Sequence, residues 1–219
     1  MLWKSRSFRS EIILLLFIFM IIIAGCDENV PPLQPAPSDR IIDEAEMMRY
    51  FPMNVGDYYR YNLNTGIEHV YETVAVQERY GGPVATIEVT RQGVTSTHYK
   101  RWSGKYLLSS MNEDLTNEQL ELEGPFYNSA EWRMESDDSP NIYYIDREII
   151  DLRHSVTVEA GTFEAMLVQQ LTHSQFGQGA VVVDTAYYFY TADVGIVKMV
   201  FEGFVYDLIE YIPGQETSP

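Results

Sequence analysis

The feature that most constrains this chain is a two-residue alternation of side-chain character after residue 50, the period of β-strands. It is clearest over residues 57–63 and 70–77, which predict two strands joined by a tight turn at Asn64-Thr65-Gly66. Similar segments follow at residues 84–91, 95–102, 106–111, 149–158, 163–173, 181–190 and 196–212, the last broken at Gly203. About ten strands at hairpin spacing, without a helix long enough for a parallel crossover, predict a mainly β, antiparallel sheet.

Two segments depart from this period. Residues 41–49 predict a short N-terminal helix with Ile42 and Met47 packed against the domain. Residues 111–140 hold nine acidic residues and one base, Arg133, and predict a long acidic excursion with one helical turn at 116–122. Solvated surface is the preferred explanation of that charge.

Composition excludes two classes of protein. The chain has 219 residues, 46% of them hydrophobic, which suits one globular domain. Its single cysteine cannot form an internal disulfide. A net charge of −17 argues against nucleic acid as a partner, because such binding depends on Lys and Arg contacts to phosphate.

The first 25 residues have the organisation of a secretory signal. Lys4, Arg6 and Arg9 precede an apolar run over residues 12–24. That run is 13 residues long, whereas a membrane-spanning helix needs roughly 20. A signal peptide is therefore predicted rather than a permanent transmembrane anchor.

The end of this signal, Ile23-Ala24-Gly25-Cys26, resembles the lipobox of bacterial lipoproteins. The resemblance implies cleavage before Cys26 and lipid attachment to its sulfur, with two or three acyl chains anchoring the protein stably to a membrane. The alternative is an ordinary signal peptide that leaves a free thiol. In either case, Cys26 is not expected to be a catalytic nucleophile, since it lies at the membrane end of the chain.

Four regions are predicted: a signal peptide (1–25), the lipidated cysteine with a tether (26–40), one β-rich domain (41–213) and a tail (214–219). The tether holds four prolines within residues 27–40, a composition typical of an extended spacer. The protein is placed in the cell envelope, outside the cytoplasm. Asp27 resembles inner-membrane retention signals, whereas the Cys26-Asp27-Glu28 start resembles surface-export signals, so the choice of membrane stays open.

No sequence motif predicts a catalytic residue, a metal site or a cofactor. Asn112, Asp114, Thr116, Glu118 and Glu123 match ligand offsets of a calcium loop, but Asn117 occupies the position that needs glycine. The four histidines, His69, His98, His154 and His173, lack metal-ligand spacing and are expected to make local hydrogen bonds.

Aromatic residues are the remaining signal, in three clusters: Tyr58-Tyr59-Tyr61, Tyr143-Tyr144 and Tyr187-Tyr188-Phe189-Tyr190. On a strand, each cluster must send rings to both faces of the sheet. One interpretation is a concave surface lined by rings that binds an apolar or sugar ligand. The other, which we prefer on the sequence, is ordinary packing of aromatic residues across strands.

Three fragments resemble β-rich bacterial exported domains of unknown function: residues 51–59 (FPMNVGDYY), 160–163 (AGTF) and 193–198 (DVGIVK). Such domains are similar to the lipoprotein-carrier fold. The resemblance implies a strongly curved sheet or incomplete β-barrel around an apolar cavity, and it carries no known catalytic residue.

The resulting hypothesis is a lipoprotein held at the membrane by acyl chains on Cys26, whose domain binds an apolar or sugar ligand without catalysis. The alternatives are an envelope assembly protein, which would meet another envelope protein through its acidic excursion or a strand edge, and an extracytoplasmic hydrolase.

Overall fold

Twelve antiparallel strands form a single sheet in the computed structural model, which describes residues 40–136, 142–175, 177 and 179–215. The predicted signal peptide, Cys26 and residues 27–39 of the tether lie outside the described residues. No helix within the described ranges has the length and apolar character needed to cross a membrane.

The chain begins with a short helix, α1 (Glu44–Met47), followed by a 3-10 turn (Met48–Tyr50). The strands are β1 (Tyr58–Leu63), β2 (Glu68–Arg79), β3 (Gly82–Arg91), β4 (Val94–Ser103), β5 (Tyr106–Ser110), β6 (Gln119–Glu123), β7 (Glu131–Ser136), β8 (Ile142–Val158), β9 (Gly161–Gln175), β10 (Val182–Thr191), β11 (Gly195–Phe201) and β12 (Phe204–Ile212).

The strand order makes a barrel with one gap. Strands that follow one another in the sequence are paired, with the exception that β6 does not pair with β7. In addition, β1 pairs with β12. The edges of the sheet are therefore two consecutive strands, and we call the gap between them the seam. Residues from both sides of the seam line one cavity, so the sheet curls into a nearly closed barrel. The predicted class, a curved antiparallel β-sheet with a short N-terminal helix, is confirmed.

Irregular pairing accounts for much of this curvature. Five of the eleven strand pairs contain a register shift, and the long pair β8–β9 contains two. An extra residue on one strand bends it and increases its twist. The sheet can thereby wrap around a single interior without splitting into two layers.

One end of the barrel is filled by a cluster of buried side chains that we call the plug. Ile42 pairs with Phe126 through backbone hydrogen bonds of 2.9 and 3.1 Å, which holds α1 across the barrel end. Asp43 caps α1 by accepting from the amides of Ala45 and Glu46, both at 3.1 Å. The main buried side chains of the plug are Ile42, Met47, Tyr50, Trp102, Leu107, Leu122, Phe126, Trp132, Ile149, Leu152 and Met166.

The acidic segment differs from its prediction. Residues 111–140 contain both β6 and β7, and the expected helical turn at 116–122 is replaced by a turn and the start of β6. Leu122 supplies the reason, because its side chain is completely buried in the plug. The helix at 41–49 forms as predicted but is shorter, with a single turn of α-helix before the 3-10 turn.

Candidate functional site

The candidate site is a cavity of about 350 Å³ inside the barrel, beside the plug. It extends toward the far end of the barrel, since its lining includes Arg91 and Phe201, the last residues of β3 and β11. A volume of this size lies at the lower end of the roughly 300–1,000 Å³ typical of small-molecule sites.

Aromatic rings form a large part of the cavity lining, and we call them the tyrosine wall. Its members are six tyrosines and two phenylalanines: Phe51, Tyr59, Tyr61, Tyr71, Tyr143, Tyr188, Tyr190 and Phe201. Alternation on β1 and β10 places Tyr59, Tyr61, Tyr188 and Tyr190 on the inner face. The prediction that the aromatic clusters divide between two faces is confirmed, because Tyr58, Tyr144 and Tyr187 do not line the cavity.

Contacts between rings hold the tyrosine wall in place. Tyr59 stacks on Tyr211 with ring centres 5.0 Å apart, and Tyr61 meets Tyr71 edge-on at 5.4 Å. The Tyr61 hydroxyl also donates to the carbonyl of Ile196 at 2.7 Å. The expected packing of aromatic rings across strands is therefore confirmed, and the rings also line a cavity, whose binding of a ligand stays a prediction.

Burial raises the pKa of four tyrosines of this wall, Tyr59, Tyr61, Tyr188 and Tyr190. The effect is strong for Tyr59 and Tyr61, and desolvation raises the pKa of Tyr188 to about 12. These four phenols therefore stay protonated at neutral pH. They offer a ligand flat apolar faces and neutral hydroxyl groups, not phenolate charge.

The cavity lining also contains charged side chains, which we call the charged side, and they adjoin the tyrosine wall where the Lys100 ammonium lies 4.4 Å from the centre of the Phe51 ring. The Lys100 ammonium donates to Glu121 at 2.7 Å, and their side chains are only 15% and 20% exposed. Burial by itself would raise the pKa of Glu121, but the charge and hydrogen bond of Lys100, with the nearby Arg147, outweigh it and lower the pKa below its ordinary value. Glu121 is therefore ionised at neutral pH.

A β-bulge brings Glu121 into the cavity. Leu107 pairs with Leu122 and Leu108 pairs with Leu120, so Glu121 is the extra residue on β6. Bulges redirect side chains in this way near functional sites. The prediction that the charge of this segment is solvated surface is wrong for Glu121, which lines the cavity.

Arg147 on β8 bridges the seam from inside the barrel. Its Nε donates to Oε1 of Gln170 at 2.9 Å, and its Nη1 donates to the carbonyl of Leu120 on the edge strand β6. Both acceptors are uncharged. In the part of the chain that the structure describes, no carboxylate forms an ion pair with Arg147.

A serine and a histidine meet on β4, close to the charged side. Ser96 Oγ lies 3.2 Å from His98 Nε2, and its hydroxyl also lies 3.5 Å from the carbonyl of Val89. Burial, together with Lys100 and Arg91, lowers the pKa of His98, so the ring is neutral at neutral pH. His98 lines the cavity, whereas Ser96 does not.

Of the five residues that match calcium-loop offsets, Asn112, Asp114 and Thr116 bond to one another within one turn, whereas Glu118 and Glu123 pair with bases outside that turn. Asp114 accepts from the amide and hydroxyl of Thr116, at 3.0 and 2.8 Å. Glu118 pairs with Arg101 and Glu123 pairs with Lys105, each at 2.6 Å. The carboxylates therefore do not converge on one point, and within the described ranges no three His, Cys, Asp or Glu residues form a metal-binding group.

The histidines are dispersed around the sheet, as their spacing predicts. His173 stacks on Tyr144 with ring centres 4.2 Å apart and lies 3.3 Å from Asp146. His154 packs against Phe189, and His69 packs against Tyr206. Only His98 reaches the cavity.

Sequence reasoning missed the charged side of the cavity: Lys100, Glu121, Arg147 and Gln170. Lys100 adjoins Arg101, and Arg147 adjoins Asp146, so alternation does not show which member of each pair faces inward. The sequence offers one signal for Lys100. Trp102 is large and apolar and is therefore expected to face inward, and Lys100, two residues earlier on the same strand, lies on the same face.

The fold and the site define a class: an antiparallel β-barrel with one gap, plugged at one end and hollow at the other. Two solved structures resemble it. A predicted lipoprotein from Parabacteroides distasonis matches with a TM-score of 0.53 at 16% identity, over 74% of this chain and 98% of that chain. A predicted exported protein with a YmcC-like fold from Bacteroides fragilis matches with a TM-score of 0.48 at 15% identity, over the same shares.

At these identities the likeness to the Parabacteroides protein concerns the fold alone. No protein-family model and no curated protein matches the chain.

Proposed function

We propose that this protein is a membrane-anchored lipoprotein of the cell envelope, outside the cytoplasm, whose barrel binds a small apolar or sugar ligand without transforming it. The observation that carries the proposal is the cavity of about 350 Å³ with its tyrosine wall. Protonated tyrosines provide stacking faces and hydroxyl groups, which suit apolar rings, chains and sugars alike.

The attachment to the membrane rests on Cys26 and the lipobox that it completes. The Parabacteroides protein of similar fold is described as a predicted lipoprotein, which supports an envelope location without assigning a ligand. The absence of catalysis is part of the proposal. Glu121, the one carboxylate in the cavity lining, is paired with Lys100, and its lowered pKa makes it a weak proton acceptor.

Native mass spectrometry of the chain from residue 26 onward, purified from the envelope, tests the proposal. We expect a bound small molecule at one per chain. Met199→Trp on β11 should remove it by filling the cavity, because Met199 lines the cavity and is 9% exposed. Val200→Trp, on the outer face of the same strand, is the matched control and should keep the ligand. Equal retention by both variants would contradict the proposal.

The second candidate function is ester hydrolysis, and the contact of Ser96 with His98 is the observation that favours it. Binding is preferred because Ser96 lies outside the cavity lining. A series of p-nitrophenyl acyl esters separates the two functions. Turnover by the wild type that Ser96→Ala abolishes would establish hydrolysis, whereas equal background rates support binding alone.

A further inference from the structure

The cavity and the whole chain carry charge of opposite sign. The chain has a net charge of −17, yet the charged side chains lining the cavity are three bases, Arg91, Lys100 and Arg147, and one acid, Glu121. His98 is neutral, since burial and its basic neighbours lower its pKa. The cavity is therefore a basic site within an acidic protein.

The surplus of positive charge is located at Arg147. Glu121 neutralises Lys100 at 2.7 Å, and Arg91 is exposed at the end of β3. Arg147 uses two of its N–H groups on neutral oxygen atoms, Gln170 Oε1 and the Leu120 carbonyl. A guanidinium has five N–H groups in a planar fork, so the remaining donors of Arg147 suit two oxygens of one anion.

The geometry around this guanidinium favours an anion over water alone. A cation on an inner wall is costly to desolvate, and a hydrogen-bonded counterion offsets that cost. Gln170 is 8% exposed and fixes the guanidinium through Nε, so the side chain is held in place before a ligand arrives. Such preorganisation is typical of a binding group.

The rest of the lining suits a ligand whose charge is confined to one end. The same lining holds the tyrosine wall and the apolar side chains of Ile196 and Met199. A ligand charged along its whole length would bury charge against these groups without a partner. The small volume accommodates one chain or ring system and not a lipid with two long chains.

We propose that the ligand of this cavity is an anionic amphiphile, whose carboxylate or phosphate group binds Arg147 and whose apolar part lies against the tyrosine wall. This inference rests on the proposed binding function and specifies its ligand class. Carboxylate and phosphate share the chemistry that the guanidinium recognises, namely two oxygens in one plane carrying negative charge.

Four probes with matched tails test the inference on the chain from residue 26 onward, produced without acyl chains. The probes are decanoate, monodecyl phosphate, decanol and decyl glucoside, measured by isothermal titration calorimetry. We expect at least one of the two anions to bind the wild type about tenfold or more tightly than decanol does. The stronger of the two anions identifies the headgroup.

Substitutions assign the preference to Arg147. Arg147→Gln should lower the affinity for the preferred anion about tenfold and leave the affinity for decanol unchanged. Arg153→Gln is the matched control, because Arg153 lies on the same strand with a side chain 52% exposed and outside the cavity. If Arg147→Gln does not fold, Arg147→Lys retains the charge and should retain a preference for anions over decanol.

The outcomes distinguish this inference from the proposal beneath it. If decanol or decyl glucoside binds as tightly as both anions, the anionic ligand class is wrong, but the barrel still binds a ligand. An anion preference unaffected by Arg147→Gln would also overturn this inference. Binding of no probe, together with an empty chain in native mass spectrometry, would instead contradict the binding function itself.

Discussion

At the scale of single residues, Asp57 connects the segment before β1 with the segment after β12 through hydrogen bonds. Its carboxylate is completely buried and accepts from the amides of Asn54 and Gly214 at 2.7 and 2.8 Å. Asp57→Ala would leave these donors buried without an acceptor. We expect it to lower the free energy of unfolding by about 3 kcal/mol, measured by urea denaturation.

The control for Asp57 is an aspartate that bonds only within its own exposed turn. Asp114→Ala should cost less than about 1 kcal/mol, because water replaces its contacts to Thr116. Equal losses in the two variants would contradict the role of Asp57 as a buried tie between Asn54 and Gly214.

Glu121 should make stability depend on pH. Burial acts to raise the pKa of this carboxyl, but Lys100 and Arg147 lower it below the unfolded value of about 4.3. A group with a lowered folded pKa stabilises the protein above its unfolded pKa and loses that effect as the pH falls through the folded pKa. Glu121→Gln should therefore cost about 1–3 kcal/mol at neutral pH, and the cost should disappear in acid.

Urea denaturation of the wild type and Glu121→Gln from roughly pH 7 to pH 3 measures this difference. Glu113→Gln serves as the comparison, because Glu113 is 68% exposed and its pair with Arg79 is solvated. A cost of Glu121→Gln that stays constant with pH would show that the carboxylate charge contributes nothing.

At the scale of secondary structure, the seam should be the least stable part of the sheet. The strands β6 and β7 pair on one side only, whereas β1 and β12 pair on both. Amides without a ladder partner exchange through smaller openings. We expect amides of β6 and β7 to exchange with deuterium before those of β1 and β12, as followed by mass spectrometry.

The hydrogen bond from Arg147 to the carbonyl of Leu120 should slow amide exchange in β6. Arg147→Gln removes the bridge from β8 to β6 and should speed exchange in β6 while leaving β1 unchanged. The exposed control Arg153→Gln should change neither strand. Exchange in β1 as fast as in β6 would mean that the seam is not the weak point of the barrel.

The same elements show what the sequence could and could not predict. Strands bounded by turn residues were predictable, as at Gly161 and Gly203, which adopt positive φ angles of 144° and 73°. The strands β6 and β7 were not, because their acidic residues hide the alternation and Glu121 breaks its parity through a bulge. Alternation predicted that the aromatic clusters divide between two faces but not which rings line a cavity, and the charged side depends on pairings between distant strands, such as Lys100 with Glu121.

At the scale of the whole molecule, the net negative charge of the protein opposes attachment to an anionic membrane. Removal of residues 1–25 takes away three bases and one acid, which leaves 12 bases, 31 acids and a net charge of −19. Anionic headgroups repel such a chain. We therefore expect attachment to a membrane to come from the acyl chains that the lipobox predicts on Cys26, each buried methylene contributing about 0.8 kcal/mol.

Cys26→Ser tests this attachment, because serine lacks the sulfur that receives the lipid. We expect the variant to move from the membrane fraction to the soluble fraction, as detected by immunoblotting after ultracentrifugation. Asp27→Asn, which changes the adjacent charge but keeps the thiol, should stay in the membrane fraction. A high-salt wash should not release the wild type, since salt screens charge and leaves acyl chains inserted. Membrane association of Cys26→Ser equal to the wild type would refute lipidation, and release of the wild type by salt would assign attachment to electrostatics.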